Sequence, residues 1–248
     1  MTRHSSFLSL PEWINPPWRY SNETHPSLLH SLIDAFIHLP SLMERWDNAR
    51  VSQEPMTSTQ LNSFIQDTLQ LQLVIHDWET KTRASDQSSQ IYFISYCSSL
   101  SDIFPELQNT YPVFYHFATF DIGVVLMYHQ AIQIYIYELL LDMILYSQTY
   151  LPNSQMRPNL DTEALVKESV ECADKIARSL EYFFHKDKRL VGPMVIQLPF
   201  LAAKGVLRRC CQMGTGDNTE KVILKRKLAF CEWVEQRIKA GGLLLKVE

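Results

Sequence analysis

Residues 114–151 read FYHFATFDIGVVLMYHQAIQIYIYELLLDMILYSQTYL, and this stretch decides the fold. It contains no Asp, Glu, Lys or Arg between positions 122 and 137, and it is apolar on nearly every side when drawn as a helix. A helix that is apolar all round is stable only where other elements surround it. The stretch therefore predicts one long helix over 114–151 at the centre of an all-α fold.

A line of polar side chains runs along this helix. Its members follow one another at intervals of seven residues: Asp121, Tyr128, Tyr135 and Asp142. Positions seven apart drift by only ~20° around a helix, so the four share one stripe, with His129 and Gln133 on an adjoining face. Polar groups on so apolar a helix need hydrogen-bond partners or a cavity filled by a ligand. The pattern predicts that this helix forms the wall of a small-molecule pocket.

The rest of the chain predicts a single helical domain over 1–248, with an extended arm rich in Pro and Trp over 1–25. Helices are expected at about 27–39, 41–51, 57–81, 161–186, 193–212 and 219–240, with caps at Asp161 and Thr219. Pro40 should interrupt the first of them. The segment Ile91-Tyr92-Phe93-Ile94 fits a strand or a helix, and a short helix is favoured.

Composition excludes several classes of function. A net charge of −4 and a pI near 6.1 offer no electrostatic basis for binding nucleic acid or an anionic membrane. The apolar run over 122–137 is shorter than the ~20 residues that span a bilayer, and no signal peptide is expected at the start. The sequence thus predicts an intracellular, cytoplasmic protein that binds neither membrane nor nucleic acid directly, and it leaves a homodimer open.

The usual motifs of metal and cofactor enzymes do not occur in the sequence. It has no Gly-x-Ser-x-Gly, His-Glu-x-x-His or Walker lysine motif, and its five cysteines never form a Cys-x-x-Cys pair. We therefore expect no metal and no cofactor. A protein can still accelerate a reaction by holding a flexible molecule in a reactive conformation and placing donors against developing charge.

The polar groups of the long helix are the candidates for that role. Asp121, Tyr128, His129 and Tyr135 are predicted to be catalytic: the aspartate or histidine exchanges a proton, and the phenols orient a substrate oxygen. Gln133, Asp142 and His116 are predicted to bind substrate. Each has a structural alternative. His129 could be a packing residue, and Asp121 and Asp142 could be buried partners of Arg178 or Lys204.

Several short packing segments recur in an order that resembles a known family. They are FLSLPEW at 7–13, LPSLME at 39–44, SLEYF at 179–183 followed by LVGP at 190–193 and LPF at 198–200, and CEW at 231–233 followed by Gly-Gly at 241–242. Together they resemble the regulatory domain of fungal zinc-cluster transcription factors over nearly the whole chain. The resemblance implies an all-helical domain, a fungal source and frequent residence in secondary-metabolite gene clusters.

The chain departs from that family in two ways. The family's DNA-binding module has six cysteines at tight spacing and a basic linker, and neither occurs in this sequence. In the central helix, Tyr128-His129 stands where similar sequences commonly carry Tyr-Trp, so a titratable imidazole replaces an apolar indole.

Two functions follow as competing hypotheses. In the first, the pocket now performs chemistry, as a cofactor-independent cyclase, isomerase or pericyclase such as a Diels-Alderase in fungal secondary metabolism. In the second, the chain is a regulator that does not bind DNA, and it senses a metabolite or pairs with a full-length factor. The first is favoured, because a regulatory domain without a DNA reader lacks a direct output, whereas a pocket suffices to bind and orient a ligand.

Overall fold

The computed structural model describes residues 27–52, 56–84, 92–95, 110–151, 160–185, 188, 191–213 and 217–240. The helices among them are α1 (Leu28–Phe36), α2 (Leu39–Val51), α3 (Ser58–Ala84), α4 (Phe120–Tyr150), α5 (Thr162–Phe184), α6 (Val191–Met213) and α7 (Asn218–Ala240). Two short strands, β1 (Tyr92–Ser95) and β2 (Phe114–Phe117), form an antiparallel ribbon. Helix dominates, and the predicted all-α class is confirmed.

The start of the long helix differs from its prediction. Phe114–Phe117 is a strand paired with Tyr92–Ser95, with Phe117 opposite Tyr92 and Phe114 opposite Ser95. Helix α4 begins only at Phe120, where the Thr119 side chain accepts a hydrogen bond from the Ile122 amide at 3.3 Å. Bulky aromatic side chains suit a strand, and a partner segment distant in sequence supplies its backbone hydrogen bonds. The short helix favoured over 91–94 is wrong for the same reason.

The side chains that cap α5 and α7 can be compared with the caps predicted from the sequence. The Asp161 side chain accepts from the amides of Glu163 at 3.0 Å and Ala164 at 3.1 Å, so the predicted cap of α5 is confirmed. The predicted cap of α7 at Thr219 is wrong. Asp217 accepts from the Thr219 and Glu220 amides at 2.7 and 2.8 Å, and the Glu220 carboxylate accepts from the Asp217 amide at 3.1 Å. This reciprocal pair is a capping box, which satisfies more backbone donors than Thr219 alone.

Proline occupies positions that helices tolerate. Pro40 lies in the first turn of α2, where a backbone N–H has no helical partner, so the residue starts the second helix as well as ending the first. Pro199 lies inside α6, within a single helix from Val191 to Met213.

The chain separates into two compact units, 1–88 with 136–165, and 89–135 with 166–248. The single domain predicted over 1–248 stays a prediction, and the arm at 1–25 lies outside the described residues. In the first unit, α1 and α2 pack on α3. Trp46 is fully buried there, with its ring edge-on to Phe64 and Tyr146 at 5.6 Å each. This indole anchors the core of the first unit.

The second unit contains the ribbon, residues 120–135 of α4, most of α5, and the packed pair α6 and α7. Its largest fully buried side chains are Tyr111, Phe114, Phe183, Phe200 and Phe230. Val125 and Ile132 are 3% and 4% exposed, as the central position of the long helix requires. Helix α4 is long and apolar enough to cross a membrane by composition, and 67% of its most apolar window is buried within the protein, as in a core helix.

Two glycines of α6 offer a matched test of packing. A Cβ atom at Gly192 would lie 2.0 Å from the carbonyl oxygen of Phe183, whereas a Cβ at Gly205 would meet nothing within 4 Å. We expect Gly192→Ala to destabilise the fold by about 1–3 kcal/mol, because backbone atoms must move. Gly205→Ala should be neutral or stabilising by up to about 1 kcal/mol, because alanine favours the helix. Urea unfolding measures both, and equal effects would contradict this packing of α5 against α6.

Candidate functional site

Asp121 is exposed in the first turn of α4. The unsatisfied amides at a helix N-terminus favour a carboxylate at this position. The interpretation of Asp121 as a buried partner of Arg178 or Lys204 is wrong, because the structure pairs those cations with other groups. Asp121 is therefore a surface carboxylate that solvent and ligands can reach.

Tyr128, His129 and Gln133 form a polar group on the buried part of α4. His129 is 2% exposed, and its Nδ1 lies 3.1 Å from Nε2 of Gln130. Gln133, one turn further on, is 7% exposed, and within the described part of the chain its Oε1 accepts no hydrogen bond. Tyr128 is half-buried, and burial raises its pKa, so the phenol remains a proton donor near neutral pH. These residues can supply donors and acceptors within one helical turn.

Asp142 has a structural partner set in the first unit. Its carboxylate accepts from Nε1 of Trp46 at 3.1 Å and from Nη1 of Arg50 at 2.6 Å. Its partner is therefore Arg50, and the pairing with Arg178 or Lys204 considered from the sequence is wrong. Tyr135 is half-buried near the middle of the helix.

His116 lies on strand β2 rather than on the helix predicted from the sequence. Its ring meets the ring of Tyr182 edge-on at 6.1 Å, and Lys188 places Nζ 3.9 Å from the centre of the same ring. Burial raises the pKa of Tyr182, and the charge of Asp121 raises it further. His116, Asp121, Tyr182 and Lys188 are named here the Tyr182 cluster. The fold thus brings together two predicted site residues, His116 and Asp121, around a phenol that the sequence analysis did not select.

Aromatic rings hold Tyr182 in place. Phe117 and Phe183 contact it edge-on with centroids 5.2 and 5.3 Å away, and Tyr182 is 8% exposed. Gly123 lets α4 pack closely against the Phe117 ring, since a Cβ at this position would lie 2.8 Å from that ring. The Tyr182 ring therefore packs among apolar side chains, and such surroundings strengthen the interaction of its hydroxyl with a ligand.

A second polar pair lies one helical turn before Tyr182 on α5. Arg178 donates from Nη1 to the Tyr115 hydroxyl at 3.4 Å, and its guanidinium carbon lies 6.0 Å from the Tyr115 ring centre. Its Nε is buried and, within the described ranges, has no hydrogen-bond acceptor. Residues four apart on a helix share one face, so Arg178 and Tyr182 point to the same side of α5.

Asp174 continues that face of α5 by one more turn into a buried network. Its carboxylate accepts from the Tyr111 hydroxyl at 3.0 Å and from Nζ of Lys227 at 2.5 Å. Burial, with the nearby charge of Asp174, holds the pKa of Tyr111 well above its usual value. Cys231 is fully buried beside this network, and burial raises its pKa to about 12 even though Lys204 opposes the shift. Its thiol is therefore protonated and inert as a nucleophile at neutral pH.

The residues that sequence reasoning missed are Tyr182, Asp174 and Lys227. A signal was present in the sequence, because Asp174, Arg178 and Tyr182 follow one another at intervals of four residues and therefore share one face of the helix. Their partners are distant in sequence, such as Tyr111 for Asp174 and His116 for Tyr182, and no local pattern specifies those contacts.

Comparison with known proteins adds no relative. No family model, no curated protein and no solved structure matches this chain. In the described portion of the chain, no three or more His, Cys, Asp or Glu side chains are grouped as metal ligands.

The ion pair between Glu235 and Lys204 predicts a pH dependence of stability. Lys204 donates to the Glu235 carboxylate at 2.5 Å, and this hydrogen bond lowers the pKa of Glu235 from its usual 4.5, while burial opposes the shift. A carboxyl whose pKa is lower in the folded state stabilises the fold above the unfolded-state pKa, and this stability is lost as the pH falls through the folded-state pKa. The free energy of unfolding should therefore differ most between the native chain and Glu235→Gln above about pH 4.5.

Urea unfolding from about pH 7 to about pH 3 measures this difference. Glu168→Gln, which removes an exposed negative charge from α5, is the control for net charge. A difference for Glu235→Gln that stays constant across the range would contradict the assignment.

Proposed function

We propose that this chain is a cofactor-independent enzyme acting on a small molecule, in the class of cyclases, isomerases or pericyclases such as Diels-Alderases. The observation that carries the proposal is the placement of His116 and Lys188 against the ring of Tyr182, on which the charge of Asp121 also acts. A carboxylate, an imidazole, an ammonium group and a protonated phenol at one place suffice for general acid–base chemistry without a metal.

The chemistry assigned to each residue follows from its protonation. A tyrosine phenol is protonated near neutral pH, and burial raises the pKa of Tyr182 further, so this hydroxyl would donate a hydrogen bond to a substrate carbonyl. Withdrawing electron density from a conjugated carbonyl lowers the barrier to ring closure or double-bond migration. The Asp121 carboxylate is exposed and takes a proton from the substrate, and His116 lies beside the same phenol to relay it.

The polar stripe of α4 would bind the rest of an elongated substrate. Tyr128 follows Asp121 by seven residues, about 10 Å along the same side of the helix, and Tyr135 follows after another 10 Å or so. A linear molecule that extends from the Tyr182 cluster along this stripe meets Tyr128 first, with His129 and Gln133 on the adjoining face. Holding such a chain in one conformation is itself a source of rate acceleration for a cyclisation.

The setting proposed for this reaction is fungal secondary metabolism, on the basis of the resemblance to zinc-cluster regulatory domains, with a cytoplasmic location. The alternative is a metabolite-sensing or factor-pairing regulator that does not bind DNA and would be nuclear. The same polar groups would then bind a ligand without converting it.

Deleting the gene from its source organism separates the two functions. If the chain is an enzyme, a linear intermediate accumulates while transcripts of neighbouring genes are unchanged, and the purified protein converts that intermediate in the presence of EDTA. If transcripts fall and no intermediate accumulates, the regulator is correct and the enzyme proposal fails.

Single substitutions then test the site with the accumulated intermediate. We expect Tyr182→Phe and Asp121→Asn each to lower kcat on the order of 10²-fold, because each removes one group that acts on the reacting atoms. Tyr150→Phe, which alters an exposed tyrosine at the end of α4, is the matched control. Tyr128→Phe, His129→Ala and Tyr135→Phe should raise KM more than they lower kcat. Full activity in folded Tyr182→Phe and Asp121→Asn would place the chemistry elsewhere.

A further inference from the structure

Lys188 supplies the ammonium group of the Tyr182 cluster, and its position against the ring gives that group a specific role. Its Nζ lies over the Tyr182 ring, 3.9 Å from the ring centre. A cation within about 6 Å of a ring centre is attracted by the electron-rich face. Two other contacts of this kind in the described part of the chain span 5.6 and 6.0 Å, so this one is the closer. Because Tyr182 is 8% exposed and Lys188 is half-buried, water screens their contact little.

The backbone around Lys188 fixes its position. The Lys188 amide donates to the His185 carbonyl at 2.9 Å, which closes a turn directly after α5. A Cβ at Gly192 would lie 2.0 Å from the Phe183 carbonyl oxygen and 3.3 Å from the Lys188 Cβ, so α6 begins in close contact with this turn. The lysine therefore follows Tyr182 by six residues from a backbone held on both sides, and its stem folds back over the ring.

Charged and titratable groups meet Tyr182 from two other elements. Strand β2 contributes His116, whose ring lies edge-on at 6.1 Å. Helix α4 contributes Asp121, and burial first and then the charge of this carboxylate raise the pKa of Tyr182. Both effects disfavour the phenolate and so weaken the hydroxyl as a donor. Lys188 is a positive charge on the same ring, and its effect has the opposite sign.

Helix α5 itself carries two further charged residues close to Tyr182 in sequence. Glu181 is buried and precedes Tyr182 directly, but adjacent residues leave a helix about 100° apart. Arg178 lies one turn earlier and places its guanidinium over the Tyr115 ring at 6.0 Å. Among the described residues, Lys188 is therefore the cation that contacts the Tyr182 ring.

We infer that Lys188 is a positioning residue that acts through the face of the Tyr182 ring and makes the Tyr182 hydroxyl a stronger hydrogen-bond donor. This inference rests on the proposed function, and it assigns the control of the donor in the same site. A cation against the ring stabilises the phenolate more than the neutral phenol, so it offsets part of the effect of burial and of Asp121. Lys188 acts on the ring, and Tyr182 acts on the reacting atoms.

Titration of this one phenol tests the inference without any turnover. Incorporating 2,3,5-trifluorotyrosine at position 182 lowers the pKa of the phenol into a range where the chain is folded, and fluorine NMR then follows it separately from the other tyrosines. We expect Lys188→Gln to raise this pKa, with an acid constant roughly three- to tenfold smaller. Lys188→Arg keeps the cation and should restore most of the difference. Asp121→Asn should lower the pKa, the opposite sign.

A matched control separates contact with the ring from net charge. Lys175→Gln removes an exposed cation from α5, seven residues before Tyr182, and should leave the pKa of the fluorinated phenol unchanged. Circular dichroism confirms that each variant is folded.

Kinetics with the accumulated intermediate show whether Lys188 acts through Tyr182. We expect Lys188→Gln to lower kcat roughly three- to tenfold with little change in KM, because the donor is weakened and substrate binding is not. In the Tyr182→Phe background the same substitution should have no further effect, since no hydroxyl is left to strengthen.

Three results would overturn the inference. The first is an unchanged or lowered phenol pKa in folded Lys188→Gln, and the second is an equal rise in Lys175→Gln. The third is a further loss of kcat when Lys188→Gln is added to Tyr182→Phe, which would show that Lys188 acts on the substrate itself.

The native chain decides the question if Lys188→Gln does not fold. A lysine stem over an aromatic ring has upfield-shifted ε-methylene protons, and the signal is assigned by its loss in Lys188→Arg. Absence of any upfield-shifted lysine signal would contradict the contact. The titration requires no turnover, so a missing effect of Lys188 on the phenol is distinguishable from a missing reaction, which Tyr182→Phe tests separately.

Discussion

Burial of helix α4 is the constraint on which the rest of the structure depends. Its sequence is apolar on every side, so any side left in water would expose hydrocarbon, at a cost of about 25 cal/mol for each Å². Residues 120–135 lie in the second unit and residues 136–150 in the first. Met127, Ile134, Leu140 and Met143 are all 1% exposed or less. Each unit therefore forms its core on a segment of the same helix.

The same constraint determines what happens to the polar groups of α4. Inside an apolar surround, each must either be satisfied by protein or be available to a ligand. Asp142 is satisfied by the protein, because Trp46 and Arg50 donate hydrogen bonds to its carboxylate. Asp121 lies at the start of the helix, where its carboxylate is exposed to solvent and needs no partner from the protein. Between them, His129 contacts Gln130, and the Oε1 of Gln133 accepts no hydrogen bond from the residues that the structure describes.

The candidate site arises mainly from α5 rather than from α4. Three turns of one α5 face carry Asp174, Arg178 and Tyr182. Asp174 meets Tyr111, whereas Arg178 and Tyr182 both meet residues of β2. Asp174 is satisfied by Tyr111 and Lys227, which makes it structural. Arg178 and Tyr182 contact Tyr115 and His116, which follow one another on β2. Along this helix face, the protein itself therefore supplies the partners of Asp174, while the Nε of Arg178 has no acceptor among the described residues.

The sequence by itself determined the features that depend on local pattern. Uniform apolarity identified α4 as a core helix, and one side chain, Asp161, was enough to mark the start of α5. Tertiary structure decided the rest. Strand β2 formed where a helix was expected because a segment about twenty residues earlier supplied its backbone partners. His116 and Asp121 act on Tyr182 because packing brought β2, α4 and α5 together. Charge balance and side-chain convergence depend on contacts between residues far apart in the chain, which the spacing within any one helix does not encode.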